Sequence, residues 1–219
     1  PASILNLAAH IDVNAWEMEA HTQASGAVFR WFRDEFGLIE REFHSRSNFD
    51  VYDLLVEEIK SIPVGSDGLL FLPTFNGSTA PVNNPNVRGV LAGLKMTHSR
   101  SHIIRSLLEG ISLEIRLMLD SISNIGIPIS TIRLVGGGSK NDYWNRIHAN
   151  VLNKPIETIE INDAALVGAA MCGAVAVGEY KNLQEASKYF VSIKDSIIPD
   201  DEIVNDYFSI YENYQRLFK

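Results

Sequence analysis

Thr131-Ile132-Arg133-Leu134-Val135-Gly136-Gly137-Gly138-Ser139-Lys140-Asn141-Asp142 is a β-branched apolar run that breaks into three glycines and then enters a helix-forming segment to Leu152. A strand, a flexible turn and a helix in direct succession are the unit of an α/β domain. Outward from this stretch the alternation continues. Downstream, Ile156 to Ile161 reads as a strand, Asn162 or Asp163 can cap a helix over Ala164–Val177 closed by Gly178, and a last helix starts at Asp200. Upstream, Ile103, Ile104, Leu107, Leu108, Ile111, Ile115, Met118, Leu119 and Ile122 keep a 3.6-residue period for about five turns until Gly126. Leu69–Leu72 fits a buried strand, and 23–36 and 49–62 read as helices, the first stopped by Gly37. Between them and the long helix, residues 73–88 hold Gly77, Pro81, Asn83, Asn84, Pro85 and Asn86, the composition of a long ordered loop. The expectation is one α/β domain over residues 1–219, its central sheet covered by helices.

Composition narrows the function classes. The 219 residues carry a formal charge of −8, with 19 Lys+Arg against 27 Asp+Glu. That argues against a nucleic-acid partner, which calls for a basic face. A phosphorylated ligand stays open, because backbone N–H groups can hold one. Cys172 is the single cysteine and, in its Ala/Gly-rich run, reads as a small buried residue. The longest apolar stretch, Ala164–Val177, is too short to span a membrane, and no secretory pattern is present; a cytoplasmic protein is expected. The chain opens at Pro1 within an extended apolar segment (Ile4, Leu5, Leu7), as expected of a piece of a longer polypeptide.

The three glycines are the strongest site signal. Without Cβ atoms a ligand can approach the backbone closely, and the following helix offers unpaired N–H groups and a positive dipole end. The dinucleotide fingerprint GxGxxG fails at Asn141, and the segment is not GxxxxGK[ST]. A tight turn that binds nothing is the plainer alternative. The small-residue helix over 164–177 suits close packing against a sheet, a helix or a flat ring. His98 and His102 can share a helix face, but no third ligand accompanies them, so no metal site is expected.

Gly89-Val90-Leu91-Ala92-Gly93-Leu94, followed after seven residues by His102-Ile103-Ile104-Arg105-Ser106-Leu107-Leu108-Glu109, resembles the second signature of the FGGY carbohydrate kinases. Leu72-Pro73 with the Gly77/Pro81/Pro85/Arg88-Gly89 loop is similar to that family's "LP…G…P…DP…RG" segment. Ala24 to Glu35 resembles its small-residue turn leading into a "W-[LF]-R-[DE]" helix, and the glycine turn and Ala/Gly helix follow in family order. The resemblance implies an actin-like ATPase, RNase H-like C-terminal lobe that holds ATP with Mg²⁺ across a cleft from a sugar- or polyol-binding lobe; a homodimer is compatible with it. Carried over by position, Gly137 and Gly138 lie against the nucleotide, Asn141 reaches its adenine or ribose side, and Gly26 forms the other wall. Arg30 stands where glycerol kinases carry Gln. The "GTT"-type phosphate segment and the "GDQ"-type segment with the general-base Asp have no counterpart; Asp12, Asp34 and Asp142 lack its context, so no catalytic residue is expected within the chain. The resemblance implies a kinase of xylulose-kinase type, the lobe alone being inactive. A non-catalytic nucleotide-binding regulator of the same fold is the alternative.

Overall fold

The computed structural model describes residues 5–12, 15–161 and 163–217. Pro1, Ile4 and Asn162 lie outside them. A hairpin of β1 (Asn6–Ala9) and β2 (Trp16–Glu19) leads into α1 (Ser25–Phe36), α2 (Leu38–Arg46) and α3 (Val51–Glu57). β3 (Leu70–Leu72) and β4 (Val90–Ala92) pair antiparallel around the long loop, and α4 (Arg100–Ser123) follows. β5 (Ile132–Leu134), α5 (Asp142–Leu152) and β6 (Ile156–Ile159) form a parallel crossover. α6 (Ala164–Ala176), α7 (Leu183–Phe190), β7 (Ile193–Ile197) and α8 (Asp201–Leu217) complete the chain.

Helix α4 is the spine of the core. Its apolar period puts Ile104, Leu107, Leu108, Ile111 and Leu113 in the interior, against Phe71 and Leu72 from β3, Phe29 and Phe32 from α1, Leu55 from α3, Ile147 and Val151 from α5, and Tyr207 and Tyr214 from α8. Strand and helix meet at Gly110. A Cβ there would lie 2.0 Å from the carbonyl oxygen of Phe71, so only glycine lets β3 run this close to the helix. The start of α4 is anchored by Arg100, which donates to both carboxylate oxygens of Glu40 (3.0 and 2.9 Å) and to Glu58 at 2.6 Å.

Where one central sheet is expected, the described strands form three small sheets: β1–β2, β3–β4, and β5–β6–β7, the last with β7 antiparallel to β6. Each strand has only three to five residues, and the hairpin keeps Leu7 and Trp16 exposed. Other differences are local. Gly37 ends α1 but is also the cap residue from which α2 starts, a helix the sequence reading lacks. The helix expected over 49–62 is regular only through Val51–Glu57, because the chain turns on toward Gly65 (φ +75°). β4 is hidden between Gly89 and Gly93, β7 offers only Ile193 and Ile197 as apolar positions, and α7, though amphipathic, has only eight residues.

Candidate functional site

The glycine turn is held in shape from below. Gly136 takes φ +81°, a backbone setting that favours glycine, and so turns the chain off the end of β5. Ser139 is buried and its hydroxyl donates to the Gly136 carbonyl at 2.8 Å, while Asn145 Nδ2 donates to the Ser139 carbonyl at 2.8 Å. Asn141 caps α5, its Oδ1 accepting from the Trp144 N–H at 3.0 Å. The upper side stays bare. A Cβ built on Gly136 or Gly137 would meet nothing within 4 Å. Gly138 differs: its Cβ direction is filled by the Trp144 ring, 3.2 Å away at Cζ3. A backbone free of side chains thus sits beside the N-terminal end of an eleven-residue helix, where unpaired N–H groups and the dipole favour an anion.

The other expected wall comes from α1. Gly26 lies in its first turn, exposed and with open space around it, and Arg30 follows one turn later on the exposed side. Among the described residues Arg30 has no hydrogen bond or ion pair to satisfy it. Phe29 lies on the buried side of the same helix. Its ring meets Trp144 edge-on at 5.6 Å and Tyr52 at 4.9 Å, so α1, α3 and α5 converge under the turn. Asn141 Nδ2 donates to Asp53 Oδ1 at 2.7 Å, a second tie between α5 and α3. The five expected site residues therefore sit on elements joined through Phe29 and Trp144. Sequence reasoning did not find Asp53, Tyr52 and Trp144; Asp53 is 88 positions from Asn141, and no spacing announces such a contact.

The support beneath the site is a polar core. Trp144 stacks on His148 at 5.1 Å, and burial pushes the His148 imidazole down to about 4. The Ser112 hydroxyl donates to the Leu108 carbonyl, so the 2.9 Å contact between Ser112 Oγ and His148 Nδ1 is an N–H donated by neutral His148.

The signature segment is built for fastening. Glu109 Oε1 accepts from Gly65 N (3.0 Å), Arg105 Nε (2.9 Å) and Tyr207 OH (2.8 Å), and Oε2 accepts from Ser66 Oγ (2.9 Å). Arg105 also donates to the Ile62 carbonyl and to the Tyr143 hydroxyl. One buried pair thereby joins α4 to the 62–66 turn, to α5 and to α8. His102 is also structural: with Ser99 it makes the capping box of α4.

One expectation about the small-residue helix is corrected: Cys172 is half-exposed instead of buried. Of α6 only Val167 is buried, and the helix packs on α7. Ala and Gly present so little side chain that one neighbouring helix covers only a narrow strip of it. None of the five site residues lines the cavities of about 600, 150 and 770 Å³ found by α6, by Tyr207 and by Trp31; the glycine turn is an open face. Among the described residues no helix is long and apolar enough to cross a membrane.

Known proteins share this architecture. The chain is 27% identical over 197 residues to a xylulose kinase of Bacillus subtilis, covering 90% of this chain and 38% of that protein. It is 31% identical over 173 residues to a gluconokinase of Bacillus subtilis, covering 78% and 34%. Its fold superposes on a Plasmodium falciparum glycerol kinase solved with ADP, with a TM-score of 0.75 and 20% identity over 98% of this chain and 41% of that one. The chain spans under two fifths of the length of these two curated relatives. Residues 3–177 match the C-terminal domain of one family throughout. With its actin-like ATPase fold, the chain belongs to the FGGY family of carbohydrate kinases.

Proposed function

We propose that residues 1–219 form one domain, the nucleotide-binding C-terminal lobe of an ATP-dependent kinase that phosphorylates a sugar or polyol hydroxyl. The observation that carries this reading is the bare backbone at Gly136–Gly137 beside the α5 N-terminus. ATP fits it: the adenosine can lie on the glycine turn, with Gly26 on the facing element, Gly138 and Trp144 as the floor and Asn141 at the base or ribose. Arg30, exposed and without a hydrogen bond or ion pair among the described residues, can meet negative charge. The relatives act on xylulose, gluconate or glycerol by name; a xylulose-type substrate is favoured, and the sugar contacts belong chiefly to the other lobe.

Phosphoryl transfer depends on positioning and on charge stabilisation. This lobe's share is to hold and orient the nucleoside and to exclude water from it. The carboxylate that takes the hydroxyl proton is assigned to the part of the protein upstream of these residues. Mg²⁺ accompanies ATP in such reactions. No group of three His, Cys, Asp or Glu side chains able to hold a metal gathers among the described residues. The protein is placed in the cytoplasm, where ATP is supplied.

The test is a calorimetric titration of the chain with ADP and, separately, with NAD. ADP should bind in preference, and Gly137→Val should weaken that binding at least about tenfold while the melting temperature holds, because the new side chain meets only the ligand's space. Equal ADP affinity in Gly137→Val, or a preference for NAD, contradicts the reading.

A further inference from the structure

The Asn141 amide has its orientation fixed by two partners. Its Oδ1 accepts from the Trp144 N–H at 3.0 Å, and its Nδ2 donates to Asp53 Oδ1 at 2.7 Å. A flipped amide would lose the Trp144 bond and set its oxygen against the Asp53 carboxylate, acceptor against acceptor. An amide nitrogen carries two hydrogens and a carboxylate two acceptor oxygens. One Asn141 N–H and Asp53 Oδ2 therefore remain without a partner among the described residues. Asp53 is exposed and Asn141 half-exposed. The surface beside the glycine turn thus offers one hydrogen-bond donor next to one charged acceptor, in a fixed order.

This order matches one purine edge and clashes with the other. On the edge bearing N7, adenine presents an acceptor at N7 and an amine donor at N6, whereas guanine presents two acceptors, N7 and O6. Adenine satisfies both groups: N7 takes the Asn141 N–H and the amine donates to Asp53. Guanine would leave its O6 facing a carboxylate, an unpaired contact between two acceptors.

We propose that Asp53 is a specificity-determining residue of the nucleotide site, reading adenine jointly with Asn141 and rejecting guanine. The proposal rests on the nucleotide-binding reading above. It differs from a purely structural tie between α3 and α5 in a way that one substitution separates. In Asp53→Asn, the side-chain oxygen can still accept from Asn141 and keep the tie, while the free atom becomes an amide donor suited to guanine O6.

The experiment titrates the wild-type chain, Asp53→Asn and Asp53→Ala with ADP and GDP by calorimetry, with a thermal melt of each to check folding. The wild type should prefer ADP by about tenfold or more, the discrimination expected of one two-bond contact to a base edge. Asp53→Asn should lower the ADP-to-GDP affinity ratio by about tenfold or more, and Asp53→Ala should lose ADP affinity and gain less for GDP than Asp53→Asn does, because it removes the clash with O6 without supplying a donor. An unchanged ratio in Asp53→Asn, with ADP still bound, overturns the assignment of Asp53 and leaves the nucleotide reading standing. Binding of neither nucleotide to the wild type at millimolar concentration overturns both.

Discussion

Glu114 and His148 are moved by burial alone, in opposite senses. Burial raises the Glu114 carboxyl to about 7 and lowers the His148 imidazole to about 4. Between its ordinary value near 4.5 and about 7, Glu114 keeps a proton in the folded protein that the unfolded chain has released, so its contribution to stability falls as pH rises. Between about 4 and its ordinary 6.5, His148 lacks a proton that the unfolded chain binds, so its contribution rises with pH. Each is worth about 3 kcal/mol over its window. From about pH 4.5 to 6.5 the two slopes cancel. Denaturant titrations should show Glu114→Gln becoming steadily more stable with pH across that interval, and gaining several kcal/mol over the wild type near pH 8 if the amide packs in place. A Glu114→Gln profile parallel to the wild type would show that the carboxyl is hydrated. Neither shift could be read from residue type, since a Glu and a His within amphipathic helices carry no mark of their depth.

Helix α4 shows how a sequence signature and a binding site can part company. The Arg105/Glu109 pair, part of the signature segment that resembles the family, contacts no site residue; it gathers the Gly65–Ser66 turn, α5 and α8 around one buried carboxylate. Removing one member of a buried pair leaves the other uncompensated, which makes Arg105 and Glu109 dependent on each other. Gly110 belongs to the same element. Gly110→Ala gains about 1 kcal/mol in helix propensity but drives a Cβ to 2.0 Å from the Phe71 carbonyl, and the collision wins. A net loss of about 2 kcal/mol or more is expected, a fall of about 4–8 °C in melting temperature for a domain of this size. An unchanged or raised midpoint would mean that β3 can move away from α4 at little cost. Local patterning revealed α4, α5 and the strand before the glycines because their signals lie within a few residues. It missed α2, since Gly37 both stops one helix and starts the next, and it buried Cys172 of α6 because apolar composition does not say whether a neighbour is present.

Across the whole molecule, the alternation of strands and helices was legible, whereas the division into three small sheets was not, because strand pairing joins residues far apart in sequence. The same limit applies at the site: the Gly136–Gly138 turn is local and was found, but its link to α1 through Phe29 and Trp144, and to α3 through Asp53, exists only in the folded chain. Everything functional depends on the nucleoside lying on that turn. Amide resonances of the ¹⁵N-labelled chain titrated with ADP test this most directly. The largest shifts are expected at Gly136, Gly137 and Asn141, with smaller ones at Gly26; shifts clustered instead around α6, or in the aromatic groove by Trp31, with the turn unmoved, would contradict it.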